Sequence, residues 1–193
     1  MELISEAQLP TKSGNFTIKV FKNPISLVEH FVLQNSENET VTPMVRIHSE
    51  CATGDIFGSL RCDCQDQLHQ ALELIAANKN GAVIYLKNQE GRGIGISNKI
   101  KAYHLQEQGL NTYEANEALG LPADARNYDD ATAILKILGY TSITLITNNP
   151  LKEAAVSAAG IAFTTHHVNP NANEHNKAYL DAKINIGHHH IKL

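Results

Sequence analysis

The sequence lacks the long apolar runs and the signal-peptide pattern that would assign it to a membrane or secretory class. Its 193 residues include no tryptophan, and aromatic residues make up only 6% of the chain. Without a run of about 20 apolar residues, no membrane-spanning helix is expected. Hydrophobic residues at 42% and charged residues at 19% are instead typical of a globular protein with a real core. Contact with a membrane is therefore not expected.

An excess of positive charge is also missing. Sixteen lysines and arginines face twenty aspartates and glutamates, which gives a formal net charge of −4. Such a chain has no general positive field to attract nucleic acid, so no nucleic-acid partner is expected. A polyanionic substrate would have to be bound by a local group of cations. The candidates are Arg46, Arg61, Arg92, Arg126 and Lys152.

Cysteine is scarce, and all three cysteines lie close together in the sequence. An odd number argues against a disulfide framework and for reduced thiols in the cytoplasm. Cys62 and Cys64 are two residues apart, and Cys51 lies eleven residues earlier, a distance that a loop can fold back across. Three thiolates can occupy three corners of a zinc tetrahedron. We call residues 51–64 the metal loop.

The fourth corner of such a site stays open to interpretation. A closed structural site would need a further ligand, whereas a catalytic site would keep the position for water. A chain without any metal is the third interpretation. The polar residues between the cysteines favour the catalytic site, because a hydrolytic metal needs groups that orient water. The candidates for a fourth protein ligand are His48, Asp55, Asp63 and His69.

The first half of the chain is predicted to be strands followed by a helix. Alternating or β-branched residues predict strands over residues 15–21, 26–33 and 40–48, arranged as an antiparallel meander that leads into the metal loop. Apolar residues at helical spacing predict a helix over residues 66–77. This helix starts directly after Cys64, so its dipole favours the thiolate forms of the cysteines.

The second half alternates between strands and helices. Strands are predicted over residues 82–86, 142–146 and 161–165. Helices are predicted over residues 98–108, 113–119 and 150–159, the first of them capped by Ser97. A further helix is predicted to be capped by Asp129 or Asp130 and to end at Gly139. The loops at 88–96 and 147–152 then follow strand ends, where such sheets bind ligands.

The expected fold class is α/β (mixed α+β), with N-terminal antiparallel strands leading into a mixed sheet flanked by helices. Residues 1–170 are expected to form a single catalytic domain. Residues 171–193, which show no clear period, are expected to be a tail that is either mobile or in contact with a partner chain.

Five ordered segments resemble GTP cyclohydrolase II, the first committed enzyme of riboflavin synthesis. They are RIHSEC at 46–51, SLRCDC at 59–64, QEGRGIG at 89–95, NKIKAY at 98–103 and TNNP at 147–150. The resemblance implies opening of the guanine imidazole ring of GTP, with release of formate and pyrophosphate. It further implies one zinc ion per chain on Cys51, Cys62 and Cys64 plus water, magnesium with the GTP phosphates, and a homodimer. The chain has no room for the synthase domain often fused to this enzyme, so the monofunctional form is expected.

The same resemblance implies three catalytic residues. Tyr103 corresponds to the family's tyrosine beside the purine, expected to orient water or donate a proton. Asp124 and Arg126 correspond to its aspartate and arginine pair, in which the arginine attacks the α-phosphorus and the aspartate accepts a proton. A guanidinium holds its proton tightly, so stabilisation of transition-state charge is an equally consistent role for Arg126.

Substrate-binding residues are implied by the resemblance as well. Cations among them are expected to contact phosphates, while Gln67 and Glu90 could recognise the guanine edge. His48 and Glu50 could instead support Cys51. The full set is Arg46, Ile47, His48, Ser49, Glu50, Gln67, Glu90, Gly91, Arg92, Thr112, Thr147 and Lys152.

Two other functions compete with this interpretation. A family variant could release formate or pyrophosphate without completing the reaction, although the presence of Tyr103 argues against it. A zinc-knuckle module that binds nucleotides or RNA is the alternative from another class. The acidic net charge and the few aromatic residues argue against that module.

Overall fold

One mixed sheet of seven strands organises the part of the chain that the structure describes. The structure is a computed structural model, and it describes residues 1–191. The strand order is β1-β2-β3-β5-β4-β6-β7. Pairing is antiparallel from β1 to β5 and parallel from β5 through β4 and β6 to β7. The strands are β1 (Glu2–Thr11), β2 (Gly14–Lys22), β3 (Glu29–Ser36), β4 (Met44–Ser49), β5 (Asn80–Leu86), β6 (Ser142–Ile146) and β7 (Ala162–His166). The predicted fold class is confirmed.

The predicted antiparallel meander is wrong at its last step. The strand β5 lies between β3 and β4, and β4 runs parallel to β5 rather than antiparallel to β3. The reason is burial, since Val45 and Ile47 are fully buried and β4 therefore needs a neighbour on each side. The sequence analysis also missed β1, a largely exposed edge strand without a clear apolar face.

Helices cover both faces of the sheet. They are α1 (Ala52–Asp55), α2 (Cys64–Asn78), α3 (Glu90–Gly93), α4 (Ile96–Glu107), α5 (Thr112–Ala118), α6 (Asp129–Ile137), α7 (Pro150–Ala158) and α8 (Lys177–Asn185). The helix predicted over residues 66–77 is confirmed as α2, which buries Ala71 and Ile75 and ends at the left-handed Lys79. No helix within residues 1–191 combines the length and the apolar character needed to cross a bilayer.

Two predicted caps and one stretch without a predicted helix need correction. Ser97 lies inside α4, whose N-cap is Gly95. Asp129 and Asp130 form the first turn of α6, where their charge faces the helix dipole, and Tyr128 is at the cap position. The helix α8 was not predicted, because its apolar periodicity is weak. That residues 171–193 are mobile or contact a partner stays a prediction, and its residues 192 and 193 lie outside the described part of the chain.

The core has two parts, one on each face of the sheet. On one face α6 and α7 contribute Ile134 and Val156, which pack with Ile47 of β4. On the other face α2 contributes Ala71 and Ile75. This packing fixes the carboxyl ends of β4, β5 and β6, which are followed by the metal loop, residues 87–95 and residues 147–149. All three connections therefore meet at one edge of the sheet.

We expect Gly81→Ala to destabilise the fold more than Gly160→Ala. Both glycines have a positive φ, but a Cβ on Gly81 would lie 1.9 Å from the Met44 carbonyl oxygen, whereas one on Gly160 has no neighbour within 4 Å. Overpacking between β5 and β4 adds to backbone strain in the first case, so we expect a loss of about 3 kcal/mol against about 1 kcal/mol for the control. Urea unfolding measures both, and equal losses would contradict close packing at this strand pair.

Candidate metal centre and substrate cavity

The three cysteines meet at the carboxyl end of β4. Cys51 is the N-cap residue of α1, Cys62 lies in the metal loop, and Cys64 is the first residue of α2. Their sulfur atoms all lie within 4.8 Å of one another, and the sulfurs of Cys51 and Cys62 are 3.8 Å apart. All three thiols are free of disulfides. The structure thus brings together the residues whose spacing predicted a common site, which we call the cysteine cluster.

No fourth protein ligand joins the cysteine cluster within residues 1–191. His48 contacts Asp55, with its Nε2 3.1 Å from Oδ1. Asp63 is paired with Lys183, and His69 is exposed. The closed interpretation of the site therefore lacks a histidine or carboxylate ligand among the candidates named from the sequence.

Gly54 leaves the space that a bound ion would need. A Cβ at this position would lie 2.8 Å from the Cys62 sulfur and 3.2 Å from the Cys51 sulfur, so any side chain would enter the space between the thiols. Three thiolates are soft ligands of the kind that zinc prefers. The residues present therefore fit a zinc ion held by three cysteines.

The charges around the cysteine cluster favour a thiolate at Cys51. Hydrogen bonds from Cys62 and Cys64, together with the Lys99 ammonium, lower the pKa of Cys51. The hydrogen bond with Cys51 in turn raises the pKa of Cys62 to about 11 and also raises the pKa of Cys64. A cation would stabilise all three thiolates together, since metal binding displaces thiol protons.

Asp55 holds the first cysteine in place. One of its carboxylate oxygens accepts the backbone N–H of Cys51 at 3.0 Å and the Tyr85 hydroxyl at 2.7 Å. The His48 ring contacts the same carboxylate and stacks on Tyr85. His48, which the resemblance placed among the substrate-binding residues, thus contacts a carboxylate that supports Cys51, which was the alternative role considered for it.

Lys99 connects the cysteine cluster to the glycine loop. Its ammonium donates to the Cys51 sulfur at 3.1 Å, to Thr53 Oγ1 at 2.8 Å and to Glu90 Oε1 at 2.5 Å. Burial lowers the pKa of Lys99, but the Cys51 thiolate and the other nearby groups raise it more, so the ammonium stays charged. The other Glu90 oxygen accepts the Ala52 N–H at 2.6 Å. Each oxygen of Glu90 therefore has a protein partner.

Tyr103 lies beside the cysteine cluster. Its hydroxyl is 3.3 Å from Thr53 Oγ1, and Thr53 Oγ1 is 3.7 Å from the Cys51 sulfur. The Arg61 guanidinium stacks on its ring at 4.2 Å. Burial raises the pKa of Tyr103 above its ordinary value, although Lys99 opposes this. The hydroxyl is therefore protonated at neutral pH and can donate a proton.

Asp124 and Arg126 form a close pair at another part of the same cavity. Arg126 Nε and Nη2 donate to the two Asp124 oxygens at 2.9 and 2.6 Å. Burial opposes the charge on each, but the pairing keeps the pKa of Asp124 below and that of Arg126 above the ordinary value. Arg126 lines the cavity, whereas Asp124 is not among the residues that line it.

Several positively charged side chains in the cavity have no carboxylate partner among the described residues. Among the described residues no carboxylate forms an ion pair with Arg46, Arg92 or Lys152, all of which are buried. The Nε of Arg46 and Nη1 of Arg92 have no hydrogen-bond partner. Burial, together with the charges of Arg46 and Arg126, lowers the pKa of Lys152. A bound polyanion would supply the missing negative charge.

Most of the predicted site residues line this one cavity. Ile47 is an exception, because its side chain is in the core and only its carbonyl faces the site, where it accepts from Lys152 at 2.7 Å. Asp124 is the other exception. The predicted residues that line the cavity are Arg46, His48, Ser49, Glu50, Cys51, Cys62, Cys64, Gln67, Glu90, Gly91, Arg92, Tyr103, Thr112, Arg126, Thr147 and Lys152.

The cavity also contains residues that the sequence analysis did not select. Lys99 lies four residues before Tyr103 in a segment used for the family resemblance, so its place on the same helix face could have indicated it. No comparable signal marked the residues from the C-terminal part of the chain. These are Tyr179, Lys183 and His189.

A family model described as GTP cyclohydrolase II matches residues 2–168. The riboflavin biosynthesis protein RibBA of Bacillus subtilis is 48% identical over 184 residues, which cover 93% of this chain and 46% of that protein. The protein of the same name from Salinispora tropica is 43% identical over 191 residues, covering 97% of this chain and 48% of that protein.

The chain thus spans about half the length of the curated relatives it matches. Among solved structures, RibBX, a two-domain 3,4-dihydroxy-2-butanone 4-phosphate synthase from A. baumannii, gives a TM-score of 0.44 at 16% identity. That alignment covers 89% of this chain and 40% of the other, and the likeness is too weak to support an argument.

We expect Gly54→Ala to lose bound zinc while the fold persists. The added methyl group would collide with two sulfur atoms of the cysteine cluster, as the distances above require. Because small shifts of metal ligands are costly, zinc affinity should fall by about tenfold or more. Zinc content after dialysis measures this, with circular dichroism as the check of folding and Gly109→Ala, which has open space around it, as control. Full zinc retention would disprove the role given to Gly54.

Proposed function

The chain belongs to the GTP cyclohydrolase II family, and we propose that it opens the guanine imidazole ring of GTP by hydrolysis, releasing formate and pyrophosphate. The remaining product is a diamino-ribosylamino-pyrimidinone 5′-phosphate. One observation carries the proposal: the cysteine cluster and three unpaired buried cations face the same cavity. A purine triphosphate matches both parts of this cavity. Its purine ring has a carbon that water must attack, which suits the metal site, and its triphosphate is a polyanion, which suits the buried cations. The product of this reaction would be used in riboflavin biosynthesis, the pathway for which the relatives of this chain are named.

The chemistry consumes water at two places. Two water molecules react at carbon 8 of guanine, where the first opens the ring and the second releases formate. A third cleaves the bond between the α- and β-phosphates and releases pyrophosphate. When held by Cys51, Cys62 and Cys64, zinc would supply a Lewis acid that activates water near neutral pH.

Tyr103 is proposed to donate a proton to the ring as it opens. A protonated hydroxyl beside the cysteine cluster suits this role, and its contact with Thr53 orients it. Lys99 keeps its charge next to Cys51, so it can offset the negative charge of the three thiolates. Both residues lie on α4, a rigid element, which holds them in a constant relation to the metal loop.

The cations are proposed to bind the triphosphate with magnesium. Magnesium commonly bridges phosphate oxygens and needs few protein ligands of its own. The Arg126 pKa is raised by Asp124, which supports stabilisation of transition-state charge rather than attack by a deprotonated guanidine. We therefore assign Arg126 to the α-phosphate as a charge stabiliser, with Asp124 as the residue that orients it.

Gln67 and Glu90 are assigned to support rather than to recognition of the base. Gln67 accepts from Arg46 and donates to Asp63 at 2.6 Å. Both Glu90 oxygens are occupied by Lys99 and Ala52. Side chains that are engaged in this way hold their neighbours in position, which supports this assignment.

We also propose a cytoplasmic homodimer. A reducing compartment keeps three neighbouring thiols available for a metal. Exposed apolar side chains at the β1 edge and in the loop after β2 offer surface for a second copy, notably Leu3, Ile4, Ile25 and Leu27.

The reaction is tested by incubating the zinc-loaded protein with GTP and magnesium and measuring formate and pyrophosphate in the same sample. We expect equal amounts of the two products, and no formate from Cys62→Ser. Pyrophosphate without formate would support the partial-reaction variant instead. Neither product, together with salt-sensitive RNA binding, would favour the zinc-knuckle module.

We expect Tyr103→Phe to reduce formate release by about 100-fold or more, because the loss of the hydroxyl removes the proton donor. Pyrophosphate release should continue, since the phosphate-binding cations are unchanged. Tyr140→Phe is the matched control: its hydroxyl bonds Gln34, outside the cavity. An equal loss of both products from Tyr103→Phe would contradict a specific role in ring opening.

A further inference from the structure

A buried lysine of α8 contacts the aspartate that separates two of the three cysteines. Lys183 Nζ donates to Asp63 Oδ1 at 2.6 Å across 120 positions of sequence. The side chains are 8% and 0% exposed, so water does not screen the pair. Because Asp63 lies between Cys62 and Cys64, any displacement of its backbone moves both sulfur ligands. The helix α8 is therefore directly bonded to the metal loop through this ion pair.

The hydrogen bonds continue from Asp63 into the substrate cavity. Its second oxygen accepts from Gln67 Nε2 at 2.6 Å, and Gln67 Oε1 accepts from Arg46. Arg46 Nη1 donates to the Ile146 carbonyl at 3.1 Å, at the end of β6. One buried series of hydrogen bonds thus joins α8, the metal loop, α2, β4 and β6.

Lys183 is the one cation that pairs with Asp63 among the described residues. A buried carboxylate that loses its counter-charge is left with an uncompensated charge, and its movement toward water would displace the backbone beside the cysteines. The inner face of α8 is anchored by the fully buried Leu180, which sets the position of Lys183. The matched family region ends at residue 168, so this helix lies beyond it.

We propose that Lys183 is a positioning residue for the cysteine cluster: by holding Asp63, it keeps Cys62 and Cys64 directed toward Cys51 and slows the release of zinc. The inference rests on the zinc site proposed above, but not on turnover of GTP. It assigns a role in metal retention to the C-terminal helix, which the sequence analysis treated as a tail.

The test compares Lys183→Met with Lys177→Met, which changes an exposed lysine on the same helix. Each zinc-loaded protein is mixed with an excess of a colorimetric chelator, and the rate of zinc transfer is followed. We expect Lys183→Met to release zinc about tenfold faster or more, as for the loss of other residues that orient metal ligands. Lys177→Met should match the unsubstituted chain. Equal rates for all three proteins would overturn the proposal.

A double substitution separates positioning through Asp63 from a general loss of stability. Asp63→Asn removes the charge that Lys183 neutralises, so adding Lys183→Met to it should cause little further zinc loss. If the effects of the two substitutions multiply in full, Lys183 does not act through Asp63 and the proposal fails. Circular dichroism verifies that each protein is folded.

A second pair of variants covers the case in which Lys183→Met does not fold. Lys183→Arg keeps the charge, and Lys183→Gln keeps a donor without the charge. Slow zinc release from the first and fast release from the second support the proposal, whereas equal rates overturn it.

Failure of the proposed reaction gives a different result. An unsubstituted chain that holds zinc but forms no formate contradicts the cyclohydrolase activity, while the zinc-release comparison still decides the role of Lys183. An unsubstituted chain that binds no zinc overturns both.

Discussion

The cysteine cluster depends on the carboxyl end of β4 being held against β5, while β6 pairs with Met44 and Val45 at the start of the strand. The strand is paired with β5 and β6, and the ladder continues past its end, where the Glu50 N–H donates to the Leu86 carbonyl at 2.9 Å. Cys51 therefore directly follows a segment whose backbone is fixed by pairing with β5. Cys64 emerges from the start of α2, whose inner face packs on the same sheet. Gly54, which lies between these two cysteines in the sequence, leaves the space between the sulfur atoms free of a side chain.

Buried charge is divided between two halves of the site. Around the cysteines each buried carboxylate has partners: Glu90 pairs with Lys99, and Asp63 pairs with Lys183. Toward the loops after β5 and β6 the positive groups outnumber the carboxylates. A chain with an overall negative charge thus contains a local region suited to phosphate.

Much of this could be predicted from the sequence, because local patterns specified it. The period of α2 and the apolar stretches of β5 and β6 identified central elements, and the spacing of three cysteines identified the cluster. What failed depended on long-range pairing. Nothing local in β4 shows that β5 will insert beside it. Lys183 is one lysine of a weakly periodic helix, and its partner becomes known only when the chain is folded. Similarly, the engagement of Gln67 and Glu90 by neighbouring protein groups follows from tertiary contacts.

The separation of Asp63 and Lys183 by 120 positions of sequence also imposes an order on biosynthesis. Chains emerge from the ribosome at about 5–20 residues per second, so the metal loop is exposed for several seconds before α8 has been made. During that interval Asp63 lacks the lysine that pairs with it in the folded chain. The buried series of hydrogen bonds through Asp63 can therefore be completed only after α8 has been made and has docked.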